Sequence, residues 1–275
     1  MKKWILIAIC ILALFFIGCF FLLREPSNDT TPAVQPSFDE SMQTTIDDFQ
    51  IDLVYQDGTR DIHYSAYIPE HIDEMDSVSL FITLPGWEGL YFQGVGVNLE
   101  YEDFAFTARD INPNMIILAP QLNDWGEQSA RDTIALTEYY QSVYPVSKTY
   151  IEGYSGGGET LSLVLDQRAD LYDGALVVSS QWDGDIQNVV EQKLPIYFFI
   201  GRDDDYYGSS NFRSTYQALF DAYQNAGLSR EEIDSILILD VREDDYFQEH
   251  GMSSQHAGGG LAAHESNIMN WLLTR

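Results

Sequence analysis

Short runs of apolar residues recur along the chain from residue 46 onward, separated by polar turns and amphipathic stretches. The first two runs, residues 49–54 and 61–68, flank Asp57-Gly58, a dipeptide typical of tight turns between antiparallel strands. They predict an opening β-hairpin. The later runs are apolar on successive residues, which is typical of strands buried on both faces of a sheet. They are residues 79–84, 115–119, 149–152, 175–178, 196–200 and 236–241.

The segments between these runs have helical periodicity. Apolar residues recur at intervals of three and four in two stripes, Leu136, Tyr139, Tyr140 and Val143, then Phe212, Tyr216, Leu219, Phe220 and Tyr223. Strands that alternate with helices predict an α/β fold, a mostly parallel twisted sheet with helices on both faces and the hairpin at one edge. Functional residues of such folds gather at the carboxyl ends of the strands.

The N-terminus has a different pattern. Residues 4–23 form an apolar block preceded by Lys2 and Lys3 and closed by Arg24. A helix of this length, rising about 1.5 Å per residue, crosses roughly 30 Å of hydrocarbon. The block predicts an uncleaved signal-anchor. A lipoprotein signal is the alternative, because Gly18-Cys19 resembles the box before a lipidated cysteine, and a cleaved signal is the third reading.

A signal-anchor or a lipoprotein signal would each tether the chain to the cell membrane. Lys2 and Lys3 predict that the rest of the chain lies outside the cytoplasm. A proline-punctuated polar stretch follows the block and predicts a flexible linker. The expected boundaries are therefore 1–24 for the membrane or signal segment, 25–45 for the linker and 46–275 for one folded domain.

Charge and cysteine content narrow the range of partners. The sequence has 14 Lys and Arg residues against 43 Asp and Glu residues, a net charge of −29, and every acid follows Arg24. Such a domain repels phosphate backbones, so we expect no nucleic-acid partner. Both cysteines, Cys10 and Cys19, lie in the apolar block. The folded domain therefore has no thiol for a disulfide or for a cysteine zinc site.

A Gly-x-Ser-x-Gly pentapeptide, Gly153-Tyr154-Ser155-Gly156-Gly157, directly follows the run at 149–152. Helical spacing resumes immediately after it, which is the context of a nucleophile elbow. The two outer glycines let strand and helix approach closely, and the sharp turn exposes the Ser155 hydroxyl above the sheet. The Gly156 amide then lies at a helix N-terminus, where it is placed to stabilise an oxyanion.

A serine hydroxyl needs a base to take its proton and an acid to orient that base. Because the base follows the nucleophile in folds with this elbow, His63 and His71 are excluded. His256 precedes Ala257-Gly258-Gly259-Gly260, a flexible loop that can turn the imidazole toward the sheet, and we predict it as the base. His264, expected inside the closing helix, and His250 remain as alternatives.

The acid is expected at the end of the run at 196–200, which continues as Gly201-Arg202-Asp203-Asp204-Asp205. The three consecutive aspartates cannot all face one histidine. Asp183 and Asp185, in the loop after the run at 175–178, are weaker candidates. From the residues alone the acid therefore stays open.

The loop after the run at 79–84, Pro85-Gly86-Trp87-Glu88-Gly89, is placed to supply a second oxyanion donor, and the Trp87 amide is the candidate. Aromatic residues in this and other strand-end loops can form the wall of a substrate pocket. The predicted substrate-binding residues are Glu88, Tyr91, Trp182 and Tyr206, and other possible wall residues are Leu90, Phe92, Trp125 and Tyr207.

These motifs resemble the α/β-hydrolase superfamily, in particular secreted bacterial esterases and the catalytic domains of prolyl-oligopeptidase-like enzymes. The resemblance extends from about Phe49 to Arg275. Its motifs are Leu84-Pro85-Gly86-Trp87-Glu88-Gly89, Ala119-Pro120-Gln121, the pentapeptide with Gly158, Gly201-Arg202-Asp203-Asp204 and Gln255-His256-Ala257-Gly258-Gly259. It implies Asp204 as the acid, because the family acid commonly lies three residues after a strand-ending glycine. Two features depart from the family, Pro85-Gly86 in place of His-Gly and a longer spacing from Asp204 to His256.

The hypothesis from the sequence is a membrane-tethered serine hydrolase that cleaves carboxylic esters outside the cytoplasm. Ser155 attacks, His256 carries the proton, Asp204 orients the histidine, and the Gly156 and Trp87 amides form the oxyanion hole. No metal or organic cofactor is implied, and the expected substrates are small esters or short peptides. The alternatives are a peptidase of prolyl-oligopeptidase type and a non-catalytic binding module on the same fold.

Overall fold

A single nine-stranded sheet organises residues 45–275, the part of the chain that the computed structural model describes. The predicted membrane segment, residues 1–24, and nearly all of the predicted linker lie outside the described residues. Within residues 45–275, no helix combines the length and the apolar character needed to cross a membrane.

The strand order in the sheet is β1-β2-β3-β5-β4-β6-β7-β8-β9. The strands are β1 (Thr45–Ile46), β2 (Phe49–Gln56), β3 (Asp61–Tyr67), β4 (Val78–Leu84), β5 (Met115–Pro120), β6 (Val146–Tyr154), β7 (Gly174–Val178), β8 (Ile196–Gly201) and β9 (Leu237–Arg242). The pairs β1–β2, β2–β3 and β3–β5 are antiparallel, and all later pairs are parallel. The predicted hairpin at one edge of a mostly parallel sheet is confirmed, with β1 as an additional short edge strand.

Of the nine α-helices, seven lie between strands and the last two follow β9. The nine helices are α1 (Val97–Tyr101), α2 (Phe104–Ile111), α3 (Glu127–Val143), α4 (Gly156–Arg168), α5 (Gln187–Gln192), α6 (Ser210–Asn225), α7 (Arg230–Ile236), α8 (Asp244–Glu249) and α9 (Ser266–Leu273). Shorter 3-10 helices include Trp87–Gly89 and Ala257–His264. These counts concern residues 45–275.

Two hydrophobic cores lie on the two faces of the sheet. One contains apolar residues of α3, α4 and α6, packed with Leu80, Ile82 and Phe198. The other contains residues of α2 and α9, packed with Phe81 and Phe199. Neighbouring residues of one strand thus enter opposite cores, because successive side chains of a strand point to opposite faces. This explains why the central strands carry apolar residues at successive positions.

Candidate active site

Ser155 lies at the sharp turn between β6 and α4. Its backbone has φ 53° and ψ −124°, a region that side chains other than glycine rarely occupy and that costs about 1–3 kcal/mol. The surrounding structure holds the turn. The Ser155 amide donates to the Val178 carbonyl at 2.9 Å, and the Ser155 carbonyl accepts from the Gly158 amide and the Ser180 hydroxyl. The strained turn predicted from the pentapeptide is present.

The glycines on either side of Ser155 allow strand and helix to approach more closely than any side chain permits. A Cβ at Gly153 would lie 2.5 Å from the Gly157 carbonyl oxygen. A Cβ at Gly157 would lie 2.0 Å from the Leu84 carbonyl oxygen on β4. Real Cβ atoms do not come so close to backbone oxygens. The elbow therefore requires glycine at both positions.

Three side chains predicted from the sequence form a hydrogen-bonded chain. Ser155 Oγ lies 3.0 Å from His256 Nε2, and His256 Nδ1 lies 3.1 Å from Asp204 Oδ2. An ionised Asp204 only accepts hydrogen bonds, so Nδ1 carries the imidazole proton and Nε2 is left to accept the Ser155 proton. This is the arrangement of a nucleophile, a base and an orienting acid.

Asp204 is held in an environment that favours its ionised form. Burial raises the pKa of this carboxyl, but hydrogen bonds from His256 and from the Tyr207 and Tyr206 amides outweigh burial and lower the pKa below its ordinary value. The two amides donate to Oδ1 at 2.8 and 3.0 Å, which leaves Oδ2 for the histidine. Asp204 is therefore an ionised acceptor across the neutral pH range.

The other two aspartates of the run have different surroundings. Asp203 is exposed, and its amide donates to the Gln255 side chain. Asp205 accepts from the His256 backbone amide at 3.0 Å and from the Ser254 hydroxyl at 2.9 Å. Asp205 thus holds the loop that carries His256, whereas Asp204 contacts the imidazole itself.

The remaining histidines are engaged elsewhere. His250 Nδ1 lies 2.7 Å from the Tyr246 carbonyl oxygen, and His264 Nε2 lies 3.1 Å from Asp103 Oδ2. His264 ends the 3-10 helix Ala257–His264, so the expectation that it lies inside the closing helix is wrong. His63, on β3, lies 3.2 Å from Asp52. Of the five histidines, His256 is the one within hydrogen-bond distance of Ser155.

Two backbone amides are free beside Ser155. The Gly156 amide begins α4, and the Trp87 amide begins the 3-10 helix Trp87–Gly89. Within residues 45–275 neither amide donates a hydrogen bond, whereas the Gly86 amide, next to Trp87 in the chain, donates to Glu102 Oε1 at 2.7 Å. The predicted donors therefore remain available to an oxyanion at this helix N-terminus.

Aromatic side chains surround these amides. The Trp125 indole packs on Gly156, where a Cβ would lie 2.3 Å from the ring, and its Nε1 donates to the Pro85 carbonyl at 3.3 Å. Trp87 is 59% exposed and lies 5.9 Å from the rings of both Trp125 and Phe92. An apolar, partly exposed wall therefore adjoins the oxyanion side of Ser155.

The four predicted substrate-binding residues separate into two groups. Tyr206 is 75% exposed with its ring 5.3 Å from the His256 ring, and Glu88 is exposed next to the Trp87 amide. Tyr91 instead stacks on His63, with ring centroids 4.0 Å apart. Trp182 is 7% exposed and packs on Phe198 in the core, so its surroundings are those of a packing residue.

Tyr207, expected only as a possible wall residue, contacts Glu159, which carried no signal in the sequence. The Tyr207 hydroxyl donates to Glu159 Oε1 at 2.7 Å and borders the Ser155 side chain. Burial raises the pKa of Glu159, and the Tyr207 hydrogen bond partly opposes that effect. Glu159 lies one helical turn after Ser155, and Tyr207 lies three residues after Asp204. The two residues are far apart in the sequence, so their hydrogen bond is evident only in the folded structure.

Two carboxyls, one fully buried and one half-buried, lie behind the site. Glu152, on β6, is fully buried, and its Oε2 accepts from the Thr83 hydroxyl at 2.7 Å while its Oε1 has no partner within the described residues. Burial, together with the nearby Glu102 carboxyl, raises the pKa of Glu152 well above its ordinary value. Burial also raises the pKa of Glu102 to about 8, although its Gly86 hydrogen bond opposes this.

Glu152→Gln should make the chain more resistant to heat at pH 8 than the wild type, with little difference near pH 5. Folding raises the pKa of Glu152, so its contribution to stability is full below the unfolded value of 4.5 and declines as pH rises toward the folded value. The decline is at most about 1.4 kcal/mol per pH unit. Thermal unfolding from pH 5 to 8 measures it, with exposed Glu249→Gln as the matched control. Equal pH slopes for Glu152→Gln and the wild type would contradict this assignment.

Comparison with known proteins gives a fold and no close relative. No family model matches the chain, and no curated protein matches it. A thermostable esterase matches at a TM-score of 0.65 with 19% identity over 83% of this chain and 63% of its own. Est1E from Butyrivibrio proteoclasticus matches at 0.51 with 13% identity, over 80% of this chain and 96% of its own. A putative dipeptidyl aminopeptidase IV from Bacteroides ovatus matches at 0.58 with 13% identity over 82% of this chain.

The chain therefore spans less than two thirds of the length of the thermostable esterase and 36% of the length of the aminopeptidase. At these identities the likeness shows the fold. The chain has the α/β-hydrolase fold, as its motifs indicated, and its structural neighbours belong to that superfamily.

Proposed function

We propose that this chain of α/β-hydrolase fold is a serine hydrolase that cleaves carboxylic esters, tethered to the membrane by residues 4–23 and acting outside the cytoplasm. The observation that carries the proposal is the continuous chain from Ser155 Oγ through His256 to Asp204, with separations of 3.0 and 3.1 Å. The membrane and compartment are proposed from the N-terminal sequence pattern alone.

The reaction follows from the geometry. His256 Nε2 takes the proton of Ser155 Oγ as the oxygen attacks the ester carbonyl, and Asp204 stabilises the imidazolium. The carbonyl oxygen gains negative charge and accepts hydrogen bonds from the Gly156 and Trp87 amides. His256 then gives its proton to the leaving alcohol. Water, activated by the same histidine, releases the acyl group from Ser155.

Several surface features support an ester with an apolar portion as the substrate. Trp87, Phe92 and Trp125 form the wall on the oxyanion side, and Tyr206 lies beside His256 on the other side of the nucleophile. One of the structural neighbours, at a TM-score of 0.65, is named as an esterase. No cofactor takes part in the proposed reaction.

A peptidase is the second candidate, because the putative dipeptidyl aminopeptidase IV has a TM-score of 0.58, above the 0.51 of Est1E. Exposed Glu88, Asp203 and Asp205 supply carboxylates for a substrate amine. Matched panels of acyl esters and short peptide amides separate the candidates. We expect turnover of the esters, and faster turnover of unblocked peptides would favour the peptidase.

A fluorophosphonate probe tests whether the site is reactive at all. Such a probe labels a serine whose proton a neighbouring base removes, so we expect labelling of the wild-type chain at Ser155, located by mass spectrometry of the labelled peptide. Ser214, an exposed serine on α6, is the internal control and should stay unlabelled. A folded chain that the probe does not modify would favour the non-catalytic binding module.

A further inference from the structure

Glu102 lies directly behind the loop that carries the Trp87 amide. It comes from the connection between α1 and α2, and its Oε1 accepts from the Gly86 amide at 2.7 Å. A Cβ built on Gly86 would lie 3.1 Å from Ser155 Cβ and 3.4 Å from Glu102 Oε1. The carboxyl and the proposed nucleophile therefore flank the same glycine.

Two hydrogen bonds hold this loop in place. Trp125 Nε1 donates to the Pro85 carbonyl, and the Gly86 amide donates to Glu102. Pro85 has no amide hydrogen of its own, so the Gly86 amide is the first donor after β4. Because Glu102 takes that donor, the next one, Trp87, is left free beside Ser155. The Glu102 hydrogen bond thus fixes which amide of the loop serves the oxyanion.

The charges around Glu102 are negative. Burial is the largest cause of the raised pKa values of Glu102, Glu152 and Tyr154. In addition, Glu88 from the loop raises the pKa of Glu102, and Glu102 raises the pKa of both Glu152 and Tyr154 on β6. The neighbouring Asp103 faces His264 of the 3-10 helix Ala257–His264 and is paired with it. Within the described residues no cation pairs with Glu102. An added negative charge at Glu102 is therefore uncompensated.

We propose that Glu102 is a positioning residue that holds the oxyanion loop through the Gly86 amide, and that its deprotonation weakens catalysis at alkaline pH. The neutral carboxyl accepts the Gly86 amide without adding charge. The carboxylate keeps the hydrogen bond but places a negative charge beside the oxyanion that forms in the transition state, which opposes that oxyanion. This inference depends on the proposed function of Ser155 and Trp87.

The pH dependence of Glu102 variants tests the inference. We would measure kcat and KM from pH 6 to 10 with p-nitrophenyl acetate, subtracting buffer hydrolysis. Because the pKa of Glu102 is about 8, wild-type kcat should fall about tenfold above that pH, with KM little changed. E102Q should keep near wild-type kcat at pH 7 and lose the alkaline decline.

Two other variants separate positioning from stability. E102A removes the acceptor of the Gly86 amide, so its kcat at pH 7 should fall about 10- to 100-fold, less than the loss of an oxyanion donor itself, and the alkaline decline should also be lost. E100Q removes an exposed acid two residues away and should keep the wild-type profile. Returning each sample to pH 7 shows whether the alkaline loss of kcat is reversible. Thermal unfolding measured at pH 9 shows whether the loss occurs in folded protein.

The outcomes distinguish this inference from the proposed function. A wild-type chain that is labelled by the fluorophosphonate probe and active, while E102Q keeps the alkaline decline, overturns the role of Glu102 alone. An E102A chain with wild-type kcat does the same. A wild-type chain that is folded, unlabelled and inert removes the proposed function and this inference together.

Discussion

Replacing Ser155 with alanine should lower ester turnover about a million-fold, because the members of a coupled nucleophile, base and acid lose most of their effect when one is removed. Alanine deletes the oxygen that lies 3.0 Å from His256 Nε2 and leaves His256 and Asp204 in place. The measurement is kcat/KM on an acyl ester, with probe labelling of the same preparations. A residual rate above that of buffer is expected, since the oxyanion amides remain.

A matched control makes this result interpretable. Ser214→Ala changes an exposed serine of α6 whose hydroxyl donates to the Ser210 carbonyl, and it should leave turnover unchanged. Ser155→Ala should also unfold at a temperature close to that of the wild type, because the Ser155 backbone contacts do not involve its Oγ. Turnover within tenfold of wild type in folded Ser155→Ala protein would remove the proposed mechanism.

The sheet was predictable from the sequence because its central strands are buried on both faces. Such strands are continuous apolar runs, and every predicted run from 79–84 to 236–241 lies within or overlaps a strand from β4 to β9. The hairpin was predictable from Asp57-Gly58, where Gly58 has φ 88° and the Asp57 carboxylate accepts from the Thr59 and Arg60 amides. Strand β1 was not predicted, since two residues carry no periodicity.

The candidate site was predictable in part. Ser155 was identifiable because the elbow imposes glycine at fixed neighbouring positions, a requirement written in the local sequence. The choice among Asp203, Asp204 and Asp205 depends on which carboxyl two backbone amides hold toward the histidine, and the residues alone left it open. The resemblance to a known family supplied Asp204, and the structure places that residue against His256.

Residues whose environment depends on tertiary packing were the ones that the sequence did not reveal. Glu102 lies among other acids, Glu100 and Asp103, and nothing in the local pattern marks it as the partner of the Gly86 amide. Trp182 was expected at the pocket because it follows β7, but its ring turns onto Phe198 in the core. The position of a residue in a loop predicts where its backbone lies, but it does not determine the direction of its side chain.

Replacing Asp204 with asparagine should lower kcat about ten-thousand-fold, while Asp203→Asn should leave it unchanged. Asparagine keeps the size of the side chain but removes the charge that stabilises the imidazolium. The asparagine amide can also donate to His256 Nδ1, which favours the tautomer with the proton on Nε2. In that tautomer Nε2 cannot accept the proton of Ser155. Asp205→Asn retains an acceptor for the His256 backbone amide and should cost less than tenfold. Steady-state kinetics of the three variants at pH 8 measures these differences, and a larger loss in Asp205→Asn than in Asp204→Asn would reassign the acid.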